Sequence, residues 1–93
     1  MRISKDEVLI IKSAILERDP NAEIYLFGSR VFDDKKGGDI DLLIISQQLS
    51  FSDKAKIKVA IFEHLEEQKI DITIAKDDGE PFVKIALKEG IRL

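Results

Sequence analysis

The chain has 93 residues, which is the size of one small domain. Leu, Ile, Val and Phe together account for 33 of them, a share that excludes a disordered chain. Lys and Arg number 15 against 18 Asp and Glu, and the resulting net charge of −3 argues against a protein that coats duplex nucleic acid, because that affinity comes mainly from basic side chains that neutralise phosphates. It does not exclude nucleotides, which a metal ion can bring to an acidic site. Cysteine is absent, which excludes disulfides, thiolate zinc sites and cysteine nucleophiles.

The sequence also bears on where the protein is expected. Its apolar runs are no longer than four residues, whereas a membrane helix needs about 20. Met1 and Arg2 lead directly into a helix-start pattern rather than into the apolar region of a secretory leader. We therefore expect no membrane partner and a location in the cytoplasm.

The first half of the chain predicts a helix followed by two strands. Ser4-Lys5-Asp6-Glu7 has the pattern of a capping box, so a helix begins there, and Pro20 ends it. The apolar stretch Ala22–Phe27 predicts a strand covered on both faces, and residues 30–38 form a polar turn. The stretch Asp39–Ile45 predicts a second buried strand with an acidic start.

A helix is predicted after the second strand. Ser50 or Ser52 is a suitable N-cap for it, and the helical pattern continues to about Glu67. The apolar side chains expected in or beside its buried stripe are Ile57, Val59, Ile61, Phe62 and Leu65.

The end of the chain predicts a strand, a helix and a short edge strand. Ile70–Ala75 alternates as a strand does, Pro81 suits the first turn of a helix that ends at Gly90, and Ile91–Leu93 would add the edge strand. The side chains that we expect this last helix to bury are Phe82, Ile85 and Ala86. The order α-β-(turn)-β-α-β-α-(β) predicts an α/β (α+β) fold, a small mixed β-sheet with helices packed on it, in one domain over residues 1–93.

Polar residues at two adjoining places suit the binding of an anion and of metal ions. Gly28-Ser29-Arg30 follows the first strand, where Gly allows a ligand close to the backbone, Ser offers a hydroxyl and the N–H groups of the turn can face an anion. Asp39 and Asp41 lie on the same face of the second strand, about 6.6 Å apart, and suit divalent cations. The alternatives are an ordinary strand-ending turn and a solvated start of a strand.

A third candidate position is Asp71. It interrupts a row of isoleucines and therefore points to the opposite face of the third strand, together with Thr73. If this strand neighbours the second one, Asp71 can reach the same site as Asp39 and Asp41. The alternative is a polar residue on the exposed face of an edge strand.

Together these residues resemble the signature of the nucleotidyltransferase superfamily, which has Gly-Ser, an Asp-x-Asp and a later Asp on another strand. Here Gly28-Ser29 is followed after nine residues by Asp39-Ile40-Asp41, and Asp71 is the later carboxylate. The length and the closing segment Leu87–Leu93 are similar to those of the minimal nucleotidyltransferase (MNT) family, stand-alone domains with the palm-like fold of the polymerase beta superfamily. The resemblance implies this fold over nearly the whole chain.

The resemblance also implies a reaction, the transfer of a nucleoside monophosphate from ATP or another NTP to an acceptor hydroxyl. It places the triphosphate at Gly28-Ser29-Arg30 and two Mg²⁺ ions at Asp39 and Asp41, with Asp71 as a further metal ligand or as the base that takes the proton. Val31-Phe32-Asp33 departs from the small residue, Arg and Gly that the family commonly has there, and so removes a positive charge near the expected phosphates.

A partner is implied in the same way. MNT domains usually accompany a small helical HEPN protein, and in toxin–antitoxin pairs the nucleotidyltransferase resembles an antitoxin that adenylylates a tyrosine of the HEPN toxin. We therefore expect a HEPN-type partner to present the acceptor, and a second copy of this chain is the other source of such a surface. The alternative function is a non-catalytic nucleotide- and partner-binding module that neutralises a HEPN protein by contact.

Overall fold

The computed structural model describes residues 3–28, 40–65 and 69–93. Within these ranges the elements are, in chain order, α1 (Lys5–Leu16), β1 (Glu23–Phe27), β2 (Ile40–Ile45), α2 (Phe51–Phe62), β3 (Ile70–Ala75), α3 (Pro81–Glu89) and β4 (Ile91–Arg92). The predicted order of helices and strands is therefore confirmed, including the short strand at the end. None of the helices in the described part of the chain has both the length and the hydropathy that crossing a membrane would require.

The four strands form one mixed sheet in the order β3-β2-β1-β4. β1 pairs antiparallel with β2 on one side and with β4 on the other, whereas β2 and β3 are parallel. Parallel neighbours need a crossover between them, and α2 supplies it. This arrangement gives the sheet two faces, each covered by different helices.

Helices α1 and α2 pack on the first face of the sheet. The predicted capping box starts α1, because Glu7 N donates to Ser4 Oγ (3.1 Å) and Ser4 N donates to Glu7 Oε1 (3.0 Å). The largest fully buried side chains of this core are Ile11, Ile15, Leu26, Ile40, Leu42, Ile44, Ile57, Ile61, Ile70 and Ile72. Alternation along β1, β2 and β3 sends these strand residues to the same side, as the pleat of a sheet requires.

The expectation for α2 was wrong in two respects. The helix ends at Phe62 rather than near Glu67, which lies outside the described residues. Val59 and Phe62, expected beside the buried stripe, are 59% and 41% exposed. The reason is geometric: Ile57 and Ile61 are one turn apart and make the contact with the core, while a residue two positions from Ile57 lies about 200° around the helix and faces outward.

Helix α3 packs on the second face, and here too the predicted inward side was partly wrong. Val83 and Ala86 are buried against Leu43, whereas Phe82 and Ile85 are 48% and 58% exposed. A helix of nine residues has apolar side chains on more than one side, so its periodicity alone does not choose the side that docks.

Candidate functional site

A row of three residues crosses three strands on the α3 face. Phe27 in β1 pairs with Asp41 in β2, and Asp41 pairs with Asp71 in β3. Asp41 shares its face with Leu43, against which α3 packs. The sequence placed Asp71 near Asp41 on the condition that β3 neighbours β2, and the structure fulfils that condition. We call Phe27, Asp41 and Asp71 the carboxylate row.

The two carboxylates of this row differ in their exposure to solvent. Asp41 is half-buried and Asp71 is exposed. Backbones of paired strands lie about 4.8 Å apart, so the two side chains rise side by side from the sheet. The sequence produces this because buried isoleucine and leucine residues flank each Asp and fix which way it points. Adjacent oxygen donors of this kind suit a hard divalent cation and are disfavoured without one, since like charges repel.

Gly28 brings the end of β1 against Asp41. Its φ is +77°, in the left-handed region that favours glycine. A Cβ added there would run into Asp41 Oδ2 and lie 3.2 Å from Asp41 Cγ. The sequence suggested that this glycine lets a ligand approach the backbone, and the structure shows that the carboxylate of Asp41 itself approaches it.

The other predicted site residues lie outside the described part of the chain. These are Ser29, Arg30 and Asp39, as well as the departing segment Val31-Phe32-Asp33. Within residues 3–28, 40–65 and 69–93, no group of three or more His, Cys, Asp or Glu side chains is arranged to hold a metal ion. Of the predicted site residues, the structure brings together Gly28 and Asp41, which are in close approach, and Asp41 and Asp71, which are cross-strand neighbours.

An aromatic pair beside the carboxylate row was not predicted. The ring centroids of Phe27 and Phe82 are 5.6 Å apart with the planes at 79°, an edge-to-face contact. Phe82 is in the first turn of α3. The signal in the sequence was that Phe27 directly precedes Gly28, at the end of β1 where the polar residues collect. The pair places aromatic surface at the edge of the candidate site.

A concavity lies at the end of the sheet opposite the carboxylate row. Its volume is about 470 Å³, and its lining includes Asp19, Tyr25 and Ser46. Asp19 is only 2% exposed, and its oxygens accept hydrogen bonds from Ser46 Oγ (2.5 Å) and from Asn21 N (3.0 Å). Since those bonds tie the turn before β1 to the end of β2, we assign Asp19 a structural role.

Tyr25 lines the same concavity and is held by its neighbour. Its hydroxyl donates to Glu23 Oε1 (2.8 Å), and this hydrogen bond raises the pKa of Tyr25 above its ordinary value. Burial and the negative charge of Glu23 raise the pKa further, and the positive charge of Arg92 opposes them. Tyr25 is therefore a protonated donor at neutral pH, pointing away from the carboxylate row.

Comparison with known proteins adds one finding. A family model described as a nucleotidyltransferase domain matches residues 8–93, a segment that contains Gly28 and both carboxylates of the row. Comparison with curated proteins finds no match.

Proposed function

Because the chain belongs to the nucleotidyltransferase domain family, we propose that it is an enzyme that transfers AMP from ATP to a hydroxyl group of a protein partner. Membership supports nucleotide transfer in general; ATP as the donor and a protein as the acceptor are our proposal. The observation that supports it is the carboxylate row. Asp41 and Asp71 lie side by side on the face of the sheet on which α3 packs, and Gly28 lies against Asp41.

The proposed cofactor is a pair of Mg²⁺ ions. Asp39, Asp41 and Asp71 would hold them, because carboxylate oxygens together with substrate phosphates are the ligands that Mg²⁺ prefers. Asp41 and Asp71 fit this role, since both carboxylates project from one face of neighbouring strands. When bound, the ions would lower the pKa of the acceptor hydroxyl and neutralise charge on the triphosphate.

The residues of the chain would then orient the reactants. Gly28 N–H and the Ser29 hydroxyl donate hydrogen bonds to oxygens of the triphosphate, and Arg30 adds positive charge. The acceptor oxygen bonds to the α-phosphorus while the bond from that phosphorus to the bridging oxygen breaks, and pyrophosphate leaves. Asp71 is the exposed member of the row, and it either takes the proton of the acceptor hydroxyl or completes the metal site, in which case the proton passes to water.

We propose a HEPN-type helical protein as the partner and one of its tyrosines as the acceptor, so that the chain acts as an antitoxin in the cytoplasm. Residues 1–93 would form one minimal nucleotidyltransferase domain, and the partner, or a second copy of the chain, would complete the acceptor surface. The resemblance to MNT antitoxins supports this assignment, and the net charge of −3 disfavours a nucleic-acid acceptor.

A second candidate function is a binding module without catalysis. The observation in its favour is Val31-Phe32-Asp33, which stands where the family commonly has a basic residue near the phosphates. Such a module would bind nucleotide and partner and would neutralise the partner by contact. It predicts tight binding with no transfer of AMP.

Calorimetric titration of ATP with Mg²⁺ tests the site shared by both functions. The variants are Asp41→Asn and Asp71→Asn, with Asp78→Asn as the matched control, because Asp78 is an exposed aspartate that lines the concavity at the other end of the sheet. We expect both row variants to lose Mg²⁺-dependent binding and the control to retain it. Equal affinity in all four proteins would show that the row is not the metal site.

A further inference from the structure

We propose that Phe82 provides the surface on which the base of the nucleotide stacks. The proposal rests on the proposed function, because it concerns the nucleotide bound at the carboxylate row. It adds a residue outside the polar motifs, on α3, and assigns to it the recognition of the base rather than of the phosphates.

Much of the Phe82 ring is exposed to solvent. Phe82 is 48% exposed, although it lies in a helix that docks on the sheet. The docking contact is made by Val83 and Ala86, which are buried against Leu43. Phe82 is therefore not needed to close that core, and about half of its surface remains available to a ligand.

Phe82 packs on a member of the carboxylate row. The Phe82 ring centroid lies 5.6 Å from that of Phe27, and Phe27 is the cross-strand neighbour of Asp41. The ring therefore lies within roughly 15 Å of the Asp41 backbone, which is the sum of about 5 Å between paired Cα atoms, the length of the Phe27 side chain and the 5.6 Å between the ring centroids. A ribose and a base cover this order of distance from the α-phosphate. A nucleotide with its phosphates at the row can therefore bring its base to Phe82.

The rings of Phe27 and Phe82 meet edge to face. The planes of Phe27 and Phe82 are nearly perpendicular, so the two rings do not stack face to face, and about half of the Phe82 surface remains exposed. Packing against Phe27 also restricts the Phe82 side chain before a ligand arrives, which lowers the entropy lost on binding. Bases stack on such surfaces with little dependence on their identity, because every base has a π-face.

The test compares a ligand that contains a nucleoside with one that has only the phosphates. Calorimetry measures the affinity of ATP and of inorganic tripolyphosphate, each with Mg²⁺, for the wild type, Phe82→Leu and Phe82→Tyr. Phe51→Leu is the matched control, since Phe51 is 85% exposed at the start of α2 and lines a concavity with Thr73 and Ala75, toward the end of β3 away from Asp71.

We expect Phe82→Leu to weaken ATP binding about tenfold, which corresponds to about 1.4 kcal/mol, and to leave tripolyphosphate binding unchanged. Phe82→Tyr should retain the affinity of the wild type for ATP, and Phe51→Leu should not alter it. Loss of both ligands in Phe82→Leu would assign the residue a structural role and overturn the proposal. Unchanged ATP affinity in Phe82→Leu would overturn it too, because the ring would then make no contact with the base.

The inference and the proposed function fail differently in this experiment. If the wild type binds neither ligand, the nucleotide site itself is absent and the proposed function falls. If the wild type binds ATP and tripolyphosphate with the same affinity, the phosphate site stands and base recognition by Phe82 is refuted.

Discussion

A single methyl group at Gly28 should perturb the candidate site strongly. The φ of +77° is strained for any L-residue by about 1–2 kcal/mol. The new Cβ would also run into Asp41 Oδ2 and lie 3.2 Å from Asp41 Cγ, so the carboxylate must move. We expect Gly28→Ala to lower the free energy of unfolding by about 2–3 kcal/mol, which is a fall of roughly 10 °C or more in Tm for a domain of this size.

The two contributions can be separated by a double-mutant cycle in urea. Asp41→Ala removes the obstructing carboxylate and leaves the backbone strain at position 28, so Gly28→Ala should cost about 1 kcal/mol less in that background. Gly79→Ala is the control, because its Cβ would meet only the Asp77 side chain, with Oδ1 at 3.0 Å. The midpoint of unfolding should shift at constant m-value, since the surface exposed on unfolding is unchanged.

Binding provides a second readout of the same variant. Displacement of Asp41 should weaken Mg²⁺-dependent ATP binding by Gly28→Ala, and Gly79→Ala should bind as the wild type does. The reasoning is refuted if Gly28→Ala is as stable as the wild type, or if it costs the same free energy with and without the Asp41 carboxylate. Either result would mean that this carboxylate does not lie against Gly28.

Three further predictions concern contacts elsewhere in the fold. Gly90→Ala should destabilise the fold by about 1–3 kcal/mol, because the new Cβ would lie 2.5 Å from Ala86 O and 2.9 Å from Leu26 O. Urea unfolding measures this loss, and no change in stability would mean that α3 and β1 are farther apart than the structure places them. Glu23→Ala should lower the pKa of Tyr25 toward 10.0. The absorbance of tyrosinate reports this pKa directly, because the chain has one tyrosine and no tryptophan. An unshifted titration would rule out the hydrogen bond to Glu23. Hydrogen bonds from Ser50 N–H and Ser50 Oγ lower the pKa of Asp53 below 3.8 in the folded protein. The ionised Asp53 carboxylate therefore stabilises the fold above pH 3.8, and this stabilisation is lost as the pH falls through the pKa of Asp53 in the folded state. The difference in urea stability between the wild type and Asp53→Ala should therefore shrink from about pH 6 to below about pH 3, and a constant difference would contradict the shift.

The order of elements could be predicted because local patterns determine it. Ser4 and Glu7 define the start of α1 by their spacing alone, and the alternation of Ile70–Ala75 marks β3 with the bounds observed. The face on which Asp71 lies also followed from alternation. That it pairs with Asp41 could be predicted only conditionally, because the register of parallel strands depends on the crossover through α2.

The inward sides of the helices were harder to predict. Phe82 and Ile85 are as hydrophobic as Val83 and Ala86, so the sequence of α3 fits docking on either side. The choice depends on the space above Leu43, which only the assembled sheet defines. The approach of Gly28 to Asp41 was missed for a related reason, because the antiparallel pairing of β1 with β2 creates it.

Intact-mass measurement of the partner tests the central claim most directly. The purified chain is incubated with ATP, Mg²⁺ and a HEPN-type protein, the partner proposed above, and the same mixture is prepared with Asp71→Asn and with Asp78→Asn. We predict that the wild type and Asp78→Asn add the mass of an AMP residue to each modified site of the partner, and that Asp71→Asn adds nothing. A wild-type chain that binds the partner and ATP yet leaves the partner's mass unchanged would contradict the enzymatic function and favour the binding module.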